Sequence, residues 1–278
     1  MKLGIMQGRL VAPDGGRFQS FPRARWRDEF ALAAAAGLDT IEWIYDAYGE
    51  DINPLTTDEG RRELERLGRE HGIRIESVCA DWFMDFPLIG VDTKTTQMRW
   101  QRLAWLMRTC TDLPVNRVVV PFVDAAAIRT LDDAAGVAAG LNSLSGLIDV
   151  TNVELHLETG LSPRDFAALL AQVKHPRIKV NYDAGNSASL GFRPRDEFAA
   201  YGTQVGSVHL KDRRLGAGTV PLGAGSTDFS ALFDCLNAAD YRGDFILQVA
   251  RGEEGEELEW ARRNVGIARK MMQSLRPE

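Results

Sequence analysis

Eight short runs rich in apolar residues recur along the chain, and each is followed by a stretch with apolar positions spaced three and four apart. The first kind of pattern predicts strands: "KLGIMQ" (2–7), "TIEWIY" (40–45), "RIESVCAD" (74–81), "NRVVVPF" (116–122), "NVELHLET" (152–159), "IKVNYDAG" (178–185), "VGSVHLKD" (205–212) and "DFILQVA" (244–250). The second predicts helices, for example over 25–37, 96–110, 163–173 and about 256–274. Gly37 and Gly72 stand where helix C-caps belong, and Asp228 or Thr227 can cap the helix that begins "FSALFDCLNAA". Eight strand–helix units in 278 residues, with no low-complexity linker, predict an α/β protein built as a single (β/α)8 barrel over 1–278. A doubly wound open sheet is the alternative, but it usually has fewer strands.

Side chains alternate along a strand, so one set faces the barrel axis and the other faces the helices. On the eighth strand Phe245, Leu247 and Val249 suit the helix layer, which sends Gln248 to the axis. The fifth strand divides into Val153, Leu155 and Leu157 against Glu154, His156 and Glu158. The sixth divides into Ile178, Val180 and Tyr182 against Lys179, Asn181 and Asp183, and the seventh into Gly206, Val208 and Leu210 against Ser207, His209 and Lys211. Barrel interiors are commonly filled by branched apolar side chains, so four successive polar faces call for a reason. Glu158, Asp183, His209 and Gln248 can converge near the C-terminal mouth, where barrel active sites lie. Two carboxylates, an imidazole and an amide oxygen form a shell for one divalent ion: Mn²⁺ or Mg²⁺ by oxygen content, Zn²⁺ or Co²⁺ with the imidazole. The bland alternative is a buried hydrogen-bond network with no ion.

Composition narrows the partners. A formal charge of −6 argues against a general nucleic-acid binder, and no run is long enough to span a membrane. Cys79, Cys110 and Cys235 are widely spaced and form no CxxC pair, so they read as reduced thiols of a cytoplasmic protein. The opening residues lack a signal-type apolar segment.

At the inward residues the chain resembles the xylose isomerase-like TIM-barrel superfamily of sugar and sugar-phosphate isomerases and epimerases, which also includes, more distantly, endonuclease IV. The resemblance rests on "LGIMQGRL" at the start, "AAAAGLDTIEW" (33–43), "VELHLETG" (153–160), "VNYDAGN" (180–186), "VGSVHLKDRR" (205–214) and "VPLGAGSTDF" (220–229). It implies a divalent ion held by Glu, Asp, His and Glu from strands five to eight, with the two glutamates also moving protons. Glu158, Asp183 and His209 match the first three positions, and Gln248 departs from the fourth. An amide can donate an oxygen to a metal but cannot act as a base. The endonuclease branch fits poorly, because its metal cluster needs many histidines and this chain has four.

Further candidates surround this shell. Lys211 is one step beyond His209 and is a candidate catalytic group, for proton transfer or for stabilising an oxyanion. Gln7, Arg9, Glu42, Trp82, Asn186, Arg213 and Arg251 are candidate substrate contacts. Gln7 and Arg9 are assigned to the inward set after strand one, and Arg9, Arg213 and Arg251 would meet a substrate anion. Glu42 would meet substrate or pair with a buried arginine. Trp43, Trp82, Phe83 and Phe86 could wall a sugar pocket, with "CADWFMDFP" read as a rim loop. The four glycines of "LGAGTVPLGAGSTD" are read first as turn formers and second as a phosphate cradle. The expected activity is metal-dependent isomerisation or epimerisation of a carbohydrate by proton transfer alpha to a carbonyl. A metal-dependent lyase on a keto-sugar or keto-cyclitol and a non-catalytic sugar binder are the rivals. Self-association into a homo-oligomer is left open.

Overall fold

The computed structural model describes residues 1–275. Eight parallel strands close into a barrel: β1 (Leu3–Met6), β2 (Thr40–Ile44), β3 (Arg74–Cys79), β4 (Arg117–Phe122), β5 (Glu154–Thr159), β6 (Ile178–Asp183), β7 (Val205–Leu210) and β8 (Asp244–Leu247). Each strand lies beside its sequence neighbours, and β1 closes the ring against β8. Helices connect the strands and cover the outside, as the βαβ crossover requires. The last helix, Glu257–Met272, packs on the first, Asp28–Ala36.

The alternation expected for β5 to β8 holds at most positions. Leu155, Leu157, Val180, Val208, Leu210, Phe245 and Leu247 are buried in the hydrophobic core under the helices. On the other face the polar side chains bond across strands. Lys179 pairs with Glu154 (2.7 Å), Glu154 accepts from or pairs with His156 (2.8 Å), and His156 meets Ser207 (2.7 Å). Ser207 donates to Asn181 (2.6 Å), which donates to Glu158 (2.8 Å). A polar ladder thus climbs the axis from the N-terminal face to the mouth, each rung satisfying the next.

Three details differ from the pattern. β7 carries an irregularity opposite Val180 and Asn181, and there Gly206 falls on the axis with Ser207; a Cβ on it would sit 2.5 Å from the His156 ring. β6 ends at Asp183 and not at 185, because its side chain caps a short helix, Ala184–Ser189, by accepting from Asn186 N–H (2.8 Å). β8 ends at Leu247, and Gln248 stays in line by donating its backbone N–H to Leu210 (3.1 Å). The expected caps are present: Gly37 and Gly72 have φ of 77° and 67°, and Asp228 accepts from Ala231 N–H.

Leu157 tests the alternation. Leu157→Lys forces an ammonium into the closed strand–helix layer and should cost about 3–5 kcal/mol, the penalty of an unpaired buried charge. Leu157→Met should cost less than about 1.5 kcal/mol. Urea denaturation of the two variants measures the ranking; a tolerated lysine would mean the strand is inverted.

Candidate functional site

The ends of β5, β6 and β7 bring Glu158, Asp183 and His209 together: one ligand atom from each lies within 4.8 Å of the others. Register makes this so, since Asp183 and His209 are paired neighbours on β6 and β7. All three are buried. His209 Nδ1 lies 3.3 Å from Glu158 Oε2 and 3.9 Å from Asp183 Oδ2, and among the described residues it makes no hydrogen bond of good geometry. Its other nitrogen, Nε2, donates to Glu42 Oε1 at 2.7 Å. The proton on Nε2 therefore leaves Nδ1 as the nitrogen aimed between the two carboxylates. A carboxylate behind the imidazole is the usual support of a metal-binding histidine. An oxygen-rich shell with one imidazole fits Mn²⁺, Mg²⁺, Co²⁺ or Zn²⁺ by its chemistry.

Charges in the cluster are strongly interdependent. Burial acts against a charged His209, yet Glu42 and Glu158 outweigh it and raise the imidazole to about 10. Burial also opposes ionisation of Glu158, but His209 and then Lys211 bring it below the usual carboxylate range. Asp183 moves the other way, raised by burial and by Glu158. A site that draws a proton onto its histidine this firmly is short of positive charge, which is the condition a divalent ion relieves.

Glu158 is held on both oxygens. Asn181 donates to Oε2 and Asn186 to Oε1, each at 2.8 Å. Arg213 in turn donates to Asn186 Oδ1 (2.9 Å). Lys211 Nζ bridges Asp183 Oδ2 (3.2 Å) and Gln248 Oε1 (3.0 Å). Its stem crosses Gly185, where a Cβ would lie 2.6 Å from Lys211 Cγ, so only glycine admits the lysine there. Glu158, Asn186, Lys211, Arg213 and Gln248 all line a cavity of about 480 Å³ at the mouth.

Other sequence candidates lie elsewhere. Glu42 is fully buried behind His209 and presents no face to a substrate. Gln7 falls off the axis phase of Gly4 and Met6, and its side chain accepts the Ile44 N–H (2.9 Å), tying β1 to β2. Arg9 donates to the carbonyls of Val249 and Phe18 and to Gln19, and Arg251 donates to those of Phe18 and Val11. The two guanidiniums fasten the loop after β1 and do not line the cavity. Trp82 opens a short helix, Trp82–Asp85, where a loop was expected; its indole donates to Glu50 (2.7 Å) and its ring lies on Phe86, away from the cavity. Trp43 packs outward against Phe21, Trp26 and Phe30, and Phe83 is core. In the glycine loop the N–H groups of Gly223, Gly225 and Thr227 all point to the Asp212 carboxylate (2.9, 2.9 and 3.1 Å). These donors organise the turn and are not free for a phosphate.

Gln19 and Asp81, neither named as a site residue from the sequence, also line the mouth with Cys79, which opens the stretch read as a rim loop. Gln19 donates to Asp81 (2.7 Å) and accepts from Arg9 and Gln248. Asp81 lies two residues past Cys79, the end of β3, which is itself a mouth position. That placement was a signal available before the fold.

The Glu42–His209 bond gives a direct test. In metal-free protein the raised His209 contributes stability that is complete below its unfolded value of about 6.5 and is lost as pH rises through about 10. Glu42→Gln should flatten thermal melts over that window. It should also weaken divalent-metal binding about 10–100-fold by calorimetry, as loss of a supporting carboxylate does.

Residues 30–271 match the family model described as a xylose isomerase-like TIM barrel. A putative L-ribulose-5-phosphate 3-epimerase, SgbU of Haemophilus influenzae, is 23% identical over 259 residues, covering 84% of this chain and 86% of that protein. The D-psicose 3-epimerase of Clostridium cellulolyticum H10, solved with D-tagatose, superposes with a TM-score of 0.76 at 14% identity, covering 98% of this chain and 99% of that one. The IolI protein, solved with a bound zinc atom, superposes with a TM-score of 0.75 at 17% identity over 99% and 98% of the two chains. With its closed barrel, its acid–histidine cluster and a family match across most of its length, this chain belongs to the xylose isomerase-like TIM-barrel family.

Proposed function

We propose that this protein is a metal-dependent sugar or sugar-phosphate isomerase or epimerase that moves a proton alpha to a carbonyl. The observation that carries this reading is His209 Nδ1, buried, without a well-formed hydrogen bond among the described residues and aimed between Glu158 and Asp183, with Glu42 fixing the opposite nitrogen. The epimerase named in the sequence relative, the epimerase in the structural neighbour and the zinc of the IolI structure support the same reading.

Glu158, Asp183 and His209 would hold the ion, with Gln248 Oε1 as a fourth donor once Lys211 shares it. The ion supplies Lewis-acid stabilisation of the oxygen on which negative charge develops. Glu158 is the base. The amides of Asn181 and Asn186 orient its two oxygens, so the carboxylate meets the substrate in one defined pose. Lys211 extends an ammonium into the same cavity and stabilises the enediolate oxygen. Asn186 and Arg213 are the substrate-facing polar groups at the rim. Three free cysteines suit a reducing, cytoplasmic setting.

A second reading, metal-dependent elimination of water from a keto-sugar, is favoured by one observation: the strand-eight position holds an amide where a second base is expected. Elimination needs only one carboxylate to remove the alpha proton.

The deciding experiment is a screen of ketoses and their phosphates in deuterated water with Mn²⁺, Mg²⁺, Co²⁺ or Zn²⁺, read by NMR. Deuterium at the alpha carbon of an isomeric product supports the proposal, and a dehydrated product supports elimination. Glu158→Gln should lower proton exchange about 10²–10⁴-fold, the usual contribution of a positioned base. Full exchange in that variant would remove Glu158 from the role. Gln248→Glu should tighten the metal by adding a third carboxylate, and Gln248→Leu should weaken it. Unchanged affinity in Gln248→Leu would make Gln248 a hydrogen-bond partner of Lys211 and Gln19 and not a ligand.

A further inference from the structure

Inverting a carbon centre through a planar enediolate requires a proton to leave on one face and return on the other. Glu158 provides one group, and the amide of Gln248 cannot provide the second. Lys211 is already tied between Asp183 and Gln248. The mouth cavity is lined by Asp81 as well as Glu158.

Asp81 is built unlike a structural carboxylate. It comes from the end of β3, whereas Glu158 comes from β5. Among the described residues no lysine or arginine forms an ion pair with it. Its two hydrogen bonds come from neutral donors, Gln19 Nε2 at 2.7 Å and the Cys79 thiol at 3.1 Å. Gln19 also accepts from Gln248 Nε2 (3.1 Å). One amide side chain therefore separates Asp81 from the position where the strand-eight carboxylate of the family pattern would stand. Arg9 holds Gln19 from behind (3.0 Å) and is fastened by Val249 and Phe18 carbonyls, so the loop that steadies Asp81 is anchored.

We propose that Asp81 is the second proton-transfer group of this site, in the role that Gln248 cannot fill. The proposal rests on the proton-transfer reading above. Glu158 takes the alpha proton; the C–H electron pair becomes the enediolate π bond, and the carbonyl oxygen takes the negative charge. The Asp81 carboxylic acid then gives its proton to the opposite face, the C=C pair forms the new C–H bond, and the carbonyl is restored. Glu158 ends protonated and Asp81 ionised, and exchange with solvent resets both. Burial, with Asp46 and Glu158 adding repulsion against the opposing bonds from Gln19 and Cys79, raises the Asp81 carboxyl to about 6. Both of its protonation states are thus populated near neutral pH, as reversible transfer needs. Arg9, the nearby cation, draws the other way.

The test compares wild type, Asp81→Asn and Asp81→Glu, each loaded with Mn²⁺ and incubated with ketoses in deuterated water. Two quantities are read by NMR: deuterium in recovered substrate and formation of the epimer. Asp81→Asn should lose epimer formation at least about 100-fold while substrate exchange through Glu158 falls less than about tenfold. Asp81→Glu should recover part of the epimer. Metal content and thermal midpoint of Asp81→Asn should match wild type, which separates loss of a proton donor from loss of the fold or the ion. Equal epimer formation in wild type and Asp81→Asn would overturn the role of Asp81 and leave Glu158 standing. A parallel loss of exchange and epimer, with metal content also lost, would make Asp81 a structural support and overturn it too. Wild type that neither exchanges nor epimerises any ketose or ketose phosphate would overturn the underlying reading and this one with it.

Discussion

The hydrogen bond between Glu42 and His209 is the constraint on which the rest of the site depends. It joins β2 to β7 across the interior of the barrel and fixes which imidazole nitrogen carries the proton. With Nε2 so engaged, Nδ1 has one direction left, toward Glu158 and Asp183. A buried carboxylate without this partner would be costly, and a buried histidine without it could turn. Orientation is thus set by one contact buried behind the site, and charge by that contact together with Glu158.

Around this centre the mouth is arranged by neutral donors and anchored cations. Amides hold Glu158, an ammonium spans Asp183 and Gln248, and an amide links Gln248 to Asp81. The arginines near β1 act on backbone carbonyls and keep the loop that carries Gln19 in place. Glu29 helps from the first helix by accepting the Gly8 N–H, at a turn where φ of +80° favours glycine. Asp212 does the same for the glycine loop beyond β7. Several charges that look like substrate contacts are therefore the framework that keeps the cavity open and in register.

The substitution of an amide for the expected strand-eight carboxylate gives the site its individual character. It leaves two carboxylates and a histidine close enough for an ion while lowering the negative charge beside Lys211. A carboxylate at that place would form a charged pair with the lysine and add a third anionic donor to the cluster. With an amide there, the ammonium is shared between a charged and a neutral oxygen and remains directed into the cavity.

The barrel was legible in the sequence because strand alternation and helical spacing are local, and they repeat eight times. The same alternation gathered Glu158, Asp183, His209 and Gln248 on one face, since every second side chain of a strand must share it. It erred at Gly206, because one irregularity in β7 shifts the phase and leaves no mark in composition. Partners were harder to read than faces. Arg9, Arg251, Glu42 and Trp82 have the chemistry of ligand contacts, but what each one touches depends on segments far away in the chain: Val249 for Arg9, Phe18 for Arg251, His209 for Glu42, Glu50 for Trp82. Asp81 and Gln19 became members of the site for the same reason, 62 residues apart in sequence and hydrogen-bonded in space. Local pattern by itself determined most of the residues the axis would receive, Gly206 and Gln7 excepted; only closure of the barrel decided which of them would meet.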